Sequence, residues 1–153
     1  MNLTKLLKPK SVAVIGASEK EGFGGDVCRN TLSYVEDMSR VYFVHPKRES
    51  VFGVPCYKSI SDIPDTIDMK EGAAKGVGGA VVFASGYGEI GTDEGRKNEA
   101  ELIAAAKELD IAVMGPNCAG FVNYIDNVQA FAFISAKRDR KGSVGVVSQS
   151  GQL

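Results

Sequence analysis

Four short apolar runs punctuate the chain, at residues 12–15 (VAVI), 41–44 (VYFV), 79–84 (GAVVFA) and 111–114 (IAVM). Runs of this length, unbroken by polar positions, predict strands covered on both faces, as in a parallel sheet. Between the first two, Val27, Cys28, Thr31, Leu32 and Val35 recur at helical spacing and predict a crossover helix over residues 26–35. Thr92, followed by Asp93 and Glu94, reads as the cap of a second helix with Leu102, Ile103, Ala106 and Leu109 as its buried stripe. Leu3, Leu6 and Leu7 fit one helical turn before the first strand. Residues 52–57 read as an extended piece interrupted by Pro55, residues 61–64 as a helical turn, and residues 128–134 as an edge strand or extended connection. The fold class is α/β, a Rossmann-like doubly wound and mostly parallel sheet.

The alternation breaks once. Residues 67–69 begin like a strand and residues 70–75 end like a helix, yet a mean strand and helix need about 17 residues. Dropping an interior strand would open the hydrogen-bonded ladder, so a strand–helix segment is expected to be missing after Met69. Further on, KRDRK at residues 137–141 is a charged linker. Residues 143–147 open a new strand, which leads into a small polar turn at Ser148, Gln149, Ser150 and Gly151. This divides the chain into a first domain over residues 1–136, a linker over 137–142 and the start of a second α/β domain over 143–153.

Open α/β sheets bind ligands beyond the carboxyl ends of their strands. The first strand delivers Gly16, Ala17 and Ser18, then Glu19 and Lys20, with further glycines at 22, 24 and 25 before the helix. A strand, a glycine-rich turn and a helix N-terminus make an anion site, and the ligand expected there is a nucleotide-like phosphate ester. The dinucleotide fingerprint fails, because Gly16 is followed by Ala17 and Ser18 instead of a second glycine two places on. Packing between strand and helix is the alternative reason for the glycines. The second strand ends in His45, Pro46, Lys47 and Arg48, two cations where an NAD site has a carboxylate for the ribose hydroxyls. Cations suit a phosphorylated ribose, as in NADP or coenzyme A, through charge-assisted hydrogen bonds; a solvated turn is the plainer reading. The third run delivers Ser85 and Gly86 to the same side, and the fourth runs into Gly115, Pro116, Asn117 and Cys118.

Composition narrows the chemistry. With 153 residues, 44% of them hydrophobic, the chain suffices for one well-buried domain and a little more. Eighteen basic against 19 acidic residues leave a net charge of −1, so no global field recruits nucleic acid or an anionic membrane. Cys28, Cys56 and Cys118 are too few and too scattered for a disulfide framework, and with one histidine they make no zinc site. Cys28 reads as core, and nothing near Cys118 in sequence lowers its pKa. No run approaches the ~20 residues of a membrane helix. A cytoplasmic protein is expected.

The series SVAVIGAS, YFVHPK, GVPCYKSISDIPDTIDM, GGAVVFASGYGEIG, MGPNCAGFVN and GSVGVVSQSG resembles the CoA-binding part of the NDP-forming acyl-CoA synthetases. These include the ADP-forming acetate–CoA ligases and the succinyl-CoA synthetase α chain. The resemblance implies that Gly16, Ala17 and Ser18, with Glu19 and Lys20 in the same turn, hold CoA phosphates. It places Lys47, with Arg48, near the nucleotide end, and Ala84, Ser85 and Gly86 along the cleft. Asn117 and Cys118 face the thiol end. Ser150 and Gly151 start the next domain, where a helix N-terminus steadies a phosphorylated histidine. That histidine has no counterpart in this chain, and the resemblance does not transfer its role to His45, which stands where the family commonly has Asn. No catalytic residue and no metal ligand are expected in this stretch. The parent reaction implied is interconversion of acyl-CoA, ADP and phosphate with carboxylate, ATP and CoA. The chain would supply the CoA or acyl-CoA site, while an ATP-grasp domain or β subunit would handle ATP, ADP and Mg, in a homo- or hetero-oligomer. Two rivals stand beside this reading: an NADP-dependent oxidoreductase domain, and a stand-alone CoA-sensing or interaction module.

Overall fold

The computed structural model describes residues 3–64, 78–135 and 142–148. A single turn, α1 (Thr4–Leu7), precedes β1 (Val12–Ile15), the helix α2 (Phe23–Tyr34) and β2 (Val41–Val44). A hairpin of β3 (Ser50–Val51) and β4 (Val54–Tyr57) follows. Then come β5 (Gly79–Val81), the long helix α3 (Asp93–Glu108), β6 (Ala112–Met114) and a second hairpin, β7 (Gly120–Asn123) with β8 (Val128–Phe131).

β1, β2 and β4 are parallel neighbours, with Val12 opposite Val41 and Ile15 opposite Val44, and β3 closes the edge in the order β1-β2-β4-β3. β5 and β6 form a separate parallel pair, from Gly79 opposite Ala112 to Val81 opposite Met114. The α/β class and the parallel pairing are as expected, but among the described residues the sheet is in pieces. Pro55 does not interrupt its segment. It lies in β4 ahead of Cys56, where the ladder to β2 begins, so its missing N–H costs that ladder nothing.

The core gathers Val14, Ala17, Val27, Cys28, Val41, Phe43, Val51 and Ala132, with Phe83 packed against it. Burying a side chain such as Phe43 completely contributes about 1.5–3 kcal/mol. Asn30 is a buried polar residue on α2 that the helical pattern did not mark. Its Nδ2 donates to Phe131 O and Phe133 O at 2.9 and 2.6 Å, and its Oδ1 accepts from Ser135 N–H at 3.2 Å. It thereby fastens the segment leaving β8 to the helix. Edge-on ring contacts of Phe133 with Phe23 and Phe131, at 5.6 and 5.7 Å, reinforce the attachment.

Two expectations need correction. The stripe on α3 is not buried: Ile103 is 47% exposed, Leu102, Ala106 and Leu109 are half-buried, and Gly95 is the buried residue of this helix. The strand pair nearest in sequence is only two strands wide, too little surface to cover four side chains. The expected strand at 143–147 pairs with no described residue, and Val144, Val146 and Val147 stand exposed. The interruption after Met69, the linker residues 137–141, and Ser150 and Gly151 lie outside the described residues.

Candidate functional site

The carboxyl ends of β1, β2 and β4 bring the glycine turn and the cationic turn together. The Gly16 and Ala17 N–H groups donate to Val44 O at 2.9 and 3.3 Å, continuing the β1–β2 ladder into the turn. Ser18 Oγ accepts from Lys20 N–H at 3.1 Å. The first two amides of the turn are therefore used inside the protein. The donors left are those of the first turn of α2, which has no side-chain cap and whose earliest N–H groups lack an intrahelical acceptor. The turn is folded closely over that helix end. A Cβ at Gly25 would lie 1.9 Å from Lys20 O, whereas Gly16, at φ +77°, borders open space.

Glu19 is likewise committed elsewhere. Its Oε1 accepts from Phe52 N–H at 2.6 Å, while Arg29 donates to Glu19 O and lies 5.1 Å over the Phe52 ring. This ties the glycine turn to the β3–β4 turn and occupies a carboxylate that would repel a phosphate.

The cationic turn is built on His45. Its N–H donates to Tyr57 O, and its Nδ1 accepts from both Lys47 N–H and Arg48 N–H at 3.1 Å. Lys58, the first residue past β4, donates from Nζ to Arg48 O at 3.0 Å. Lys58 and Arg48 therefore meet where β2 and β4 end, with Lys47 in the same turn, and none of the three has an ion-pair partner among the described residues. The Arg48 Nε is buried without a partner. Lys58 was missed by the sequence reading because Pro55 hid the strand whose end presents it.

A second cluster lies at the ends of β5 and β6. Asn117 N–H donates to Ala84 O at 3.0 Å, joining the two loops. Gly86 N–H donates to Glu89 Oε1 at 2.7 Å, and Tyr87 N–H reaches both carboxylate oxygens at 3.2–3.3 Å. The Gly86 N–H is the main cause holding the Glu89 carboxyl below its ordinary range. Asn98 on α3 holds Gly86 O at 3.1 Å, while Ala84 and Ser85 are exposed. Cys118 faces inward: its Sγ donates to Val82 O and Met114 O at 3.6 and 3.7 Å, and burial pushes the thiol up. Phe83, between the strand and this loop, packs on the core that includes Val14 and Ala17.

These positions can be set beside known proteins. The profile of the CoA binding domain matches residues 10–124. The chain belongs to this family. The CoA-binding domain is 36% identical over 99% of its length to a trans-feruloyl-CoA synthase of an unknown prokaryotic organism, and spans 24% of that protein. It is also 36% identical, over 99% of its length, to the α subunit of an ADP-forming acetate–CoA ligase from Pyrococcus furiosus, and spans 35% of it. A crystal structure of a Pyrococcus horikoshii OT3 protein superimposes with a TM-score of 0.83 at 36% identity, covering 98% of the domain and 37% of that chain. The domain is thus homologous to the CoA-binding part of ADP-forming acyl-CoA synthetases and spans about a quarter to a third of these relatives. No helix among its described residues is long and apolar enough to cross a membrane, and no group of three metal-ligating side chains occurs among them.

A cleft of about 270 Å³ opens at the opposite, amino ends of β1 and β2, bordered by Lys8, Lys10, Arg40, Asp126 and Gln129. Two of its cations already have partners within the fold, Lys8 pairing with Asp126 at 2.7 Å and Arg40 donating to Pro9 O and Lys10 O.

Proposed function

We propose that the domain holds CoA across the carboxyl ends of its strands. Lys47, Arg48 and Lys58 receive the phosphorylated ribose, the first turn of α2 the diphosphate, and Ala84, Ser85, Gly86 and Asn117 border the pantetheine. The observation that carries this reading is the placement of three cations without carboxylate partners among the described residues on the segments that follow β2 and β4, with Lys58 in contact with Arg48 O. A ribose phosphomonoester carries about −1.5 to −2 charge near neutral pH and offers acceptors to all three.

On the same reading the domain is one part of an ADP-forming acyl-CoA synthetase that interconverts acyl-CoA, ADP and phosphate with carboxylate, ATP and CoA. ATP, ADP and Mg would be handled by an ATP-grasp domain or partner subunit, in the cytoplasm, and the relative described as an α subunit supports such a division. The phosphohistidine would belong to a second domain beginning at residues 143–153, beyond the linker at 137–142, with Ser150 and Gly151 in its anion turn. Relatives named for ferulate and for acetate both match this one domain, which supports placing acid selectivity elsewhere. The proposal includes a strand–helix unit wanting after Met69. The alignment to the synthase is 168 positions long against a chain of 153, leaving at least 15 positions without a counterpart, close to one strand and one helix.

Titration calorimetry with CoA, dephospho-CoA and NADP tests the site. CoA is expected to bind most tightly, with dephospho-CoA weaker by about tenfold, the equivalent of one charge-assisted hydrogen bond. Preference for NADP, or no difference between CoA and dephospho-CoA, would overturn the assignment of the cations.

A further inference from the structure

The His45 ring holds the cationic turn by a contact that only one of its protonation states can make. Nδ1 lies 3.1 Å from Lys47 N and from Arg48 N, and both amides donate to it. A neutral imidazole offers that nitrogen as an acceptor, while an imidazolium carries a proton on it and has no lone pair to give. We propose that His45 is the positioning residue of the phosphate grip and makes it pH-dependent: neutral His45 folds Lys47 and Arg48 into place, and protonation releases them. The proposal rests on the CoA reading given above.

The titratable and charged groups on the elements meeting here are Lys47, Arg48 and Glu49 in the same turn, Cys56, Tyr57 and Lys58 at the end of β4, and Glu19 and Lys20 in the glycine turn. Two effects of protonation oppose each other. A fourth positive charge near a bound phosphate strengthens attraction, at a solvated separation of about 7 Å by roughly threefold. Loss of the acceptor for two amides weakens the organised turn by about tenfold or more. Release prevails, and affinity falls as pH falls.

Asparagine is the discriminating replacement. Its side-chain oxygen accepts from amides two and three residues ahead, as in an Asx-turn, and does not titrate. CoA dissociation constants measured by calorimetry at about pH 8 and about pH 5.5 are expected to weaken about tenfold more in the wild-type protein than in His45→Asn. Titration of the ligand phosphate itself affects both proteins alike and cancels in that comparison. Equal weakening in the two proteins, or tighter wild-type binding at the lower pH, would overturn the proposal. Amide hydrogen exchange without CoA reads the contact directly. Lys47 and Arg48 should lose protection at the lower pH in the wild-type protein, keep it in His45→Asn, and lack it at both pH values in His45→Ala. Equal protection in all three proteins would also overturn the proposal. If CoA fails to bind at about pH 8, the ligand reading falls, and the exchange data alone decide the contact.

Discussion

Lys58 shows how much a single ammonium depends on where its strand ends. Its stem leaves the first residue past β4, its Nζ rests 3.0 Å from Arg48 O, and that contact brings a third charge to a turn that already carries two. Removing the charge while keeping a polar side chain isolates its contribution. Lys58→Gln is expected to weaken CoA binding about three- to tenfold, the range for one solvent-exposed charge contact, and to leave dephospho-CoA binding unchanged. Parallel titrations of both ligands check this, and equal losses for the two would show that Lys58 acts on the fold and not on the phosphate. Cys118 is the contrasting case. Its place in a loop tip suggests a ligand-facing thiol, yet the sulfur turns to Val82 O and Met114 O and ties β5 to β6. Position along the chain put Cys118 beside the expected cleft and missed Lys58, and neither orientation could be read there, because Arg48 O and Val82 O lie on other segments.

At the scale of elements, the glycine turn and α2 behave as one piece. Gly25 is buried against Lys20 O so closely that even a methyl group would sit 1.9 Å from it. Gly25→Ala must push the turn off the helix end. A destabilisation of about 1–3 kcal/mol, the usual cost of overpacking, is expected in denaturant unfolding, together with weaker CoA binding. Unchanged stability would mean that the turn yields freely. The strands at 12–15 and 41–44 were legible because uninterrupted β-branched and aromatic runs have few alternatives. The β3–β4 hairpin was not, since its turn uses Phe52 at φ +48°, a conformation glycine or asparagine usually signals. The glycine turn was found in the right place, but the direction of its amides was hidden: their acceptor, Val44 O, belongs to a strand 28 residues or so farther along. The stripe on α3 misled for a related reason, since periodicity marks a face and says nothing about whether enough sheet exists to cover it.

Across the whole molecule, one buried carboxamide joins distant parts of the chain. Asn30 makes three hydrogen bonds to residues 101 to 105 positions away, and Ala132, between the Phe131 and Phe133 carbonyls that Asn30 holds, belongs to the core around Val14. Asn30→Ala strands two carbonyls and an amide, and an unfolding free energy lower by about 2–4 kcal/mol is expected from denaturant titration. A loss below about 1 kcal/mol would mean that water takes over those contacts. The same clasp bears on the order of events during synthesis. Helix α2 leaves the ribosome early, but the residues that satisfy Asn30 and cap the interior beside it are made about a hundred positions later. Until then the first half of the domain exposes a half-finished apolar seam, so the emerging chain is most vulnerable to aggregation and to chaperone capture in that interval, and maturation ends with the closing of this one late contact.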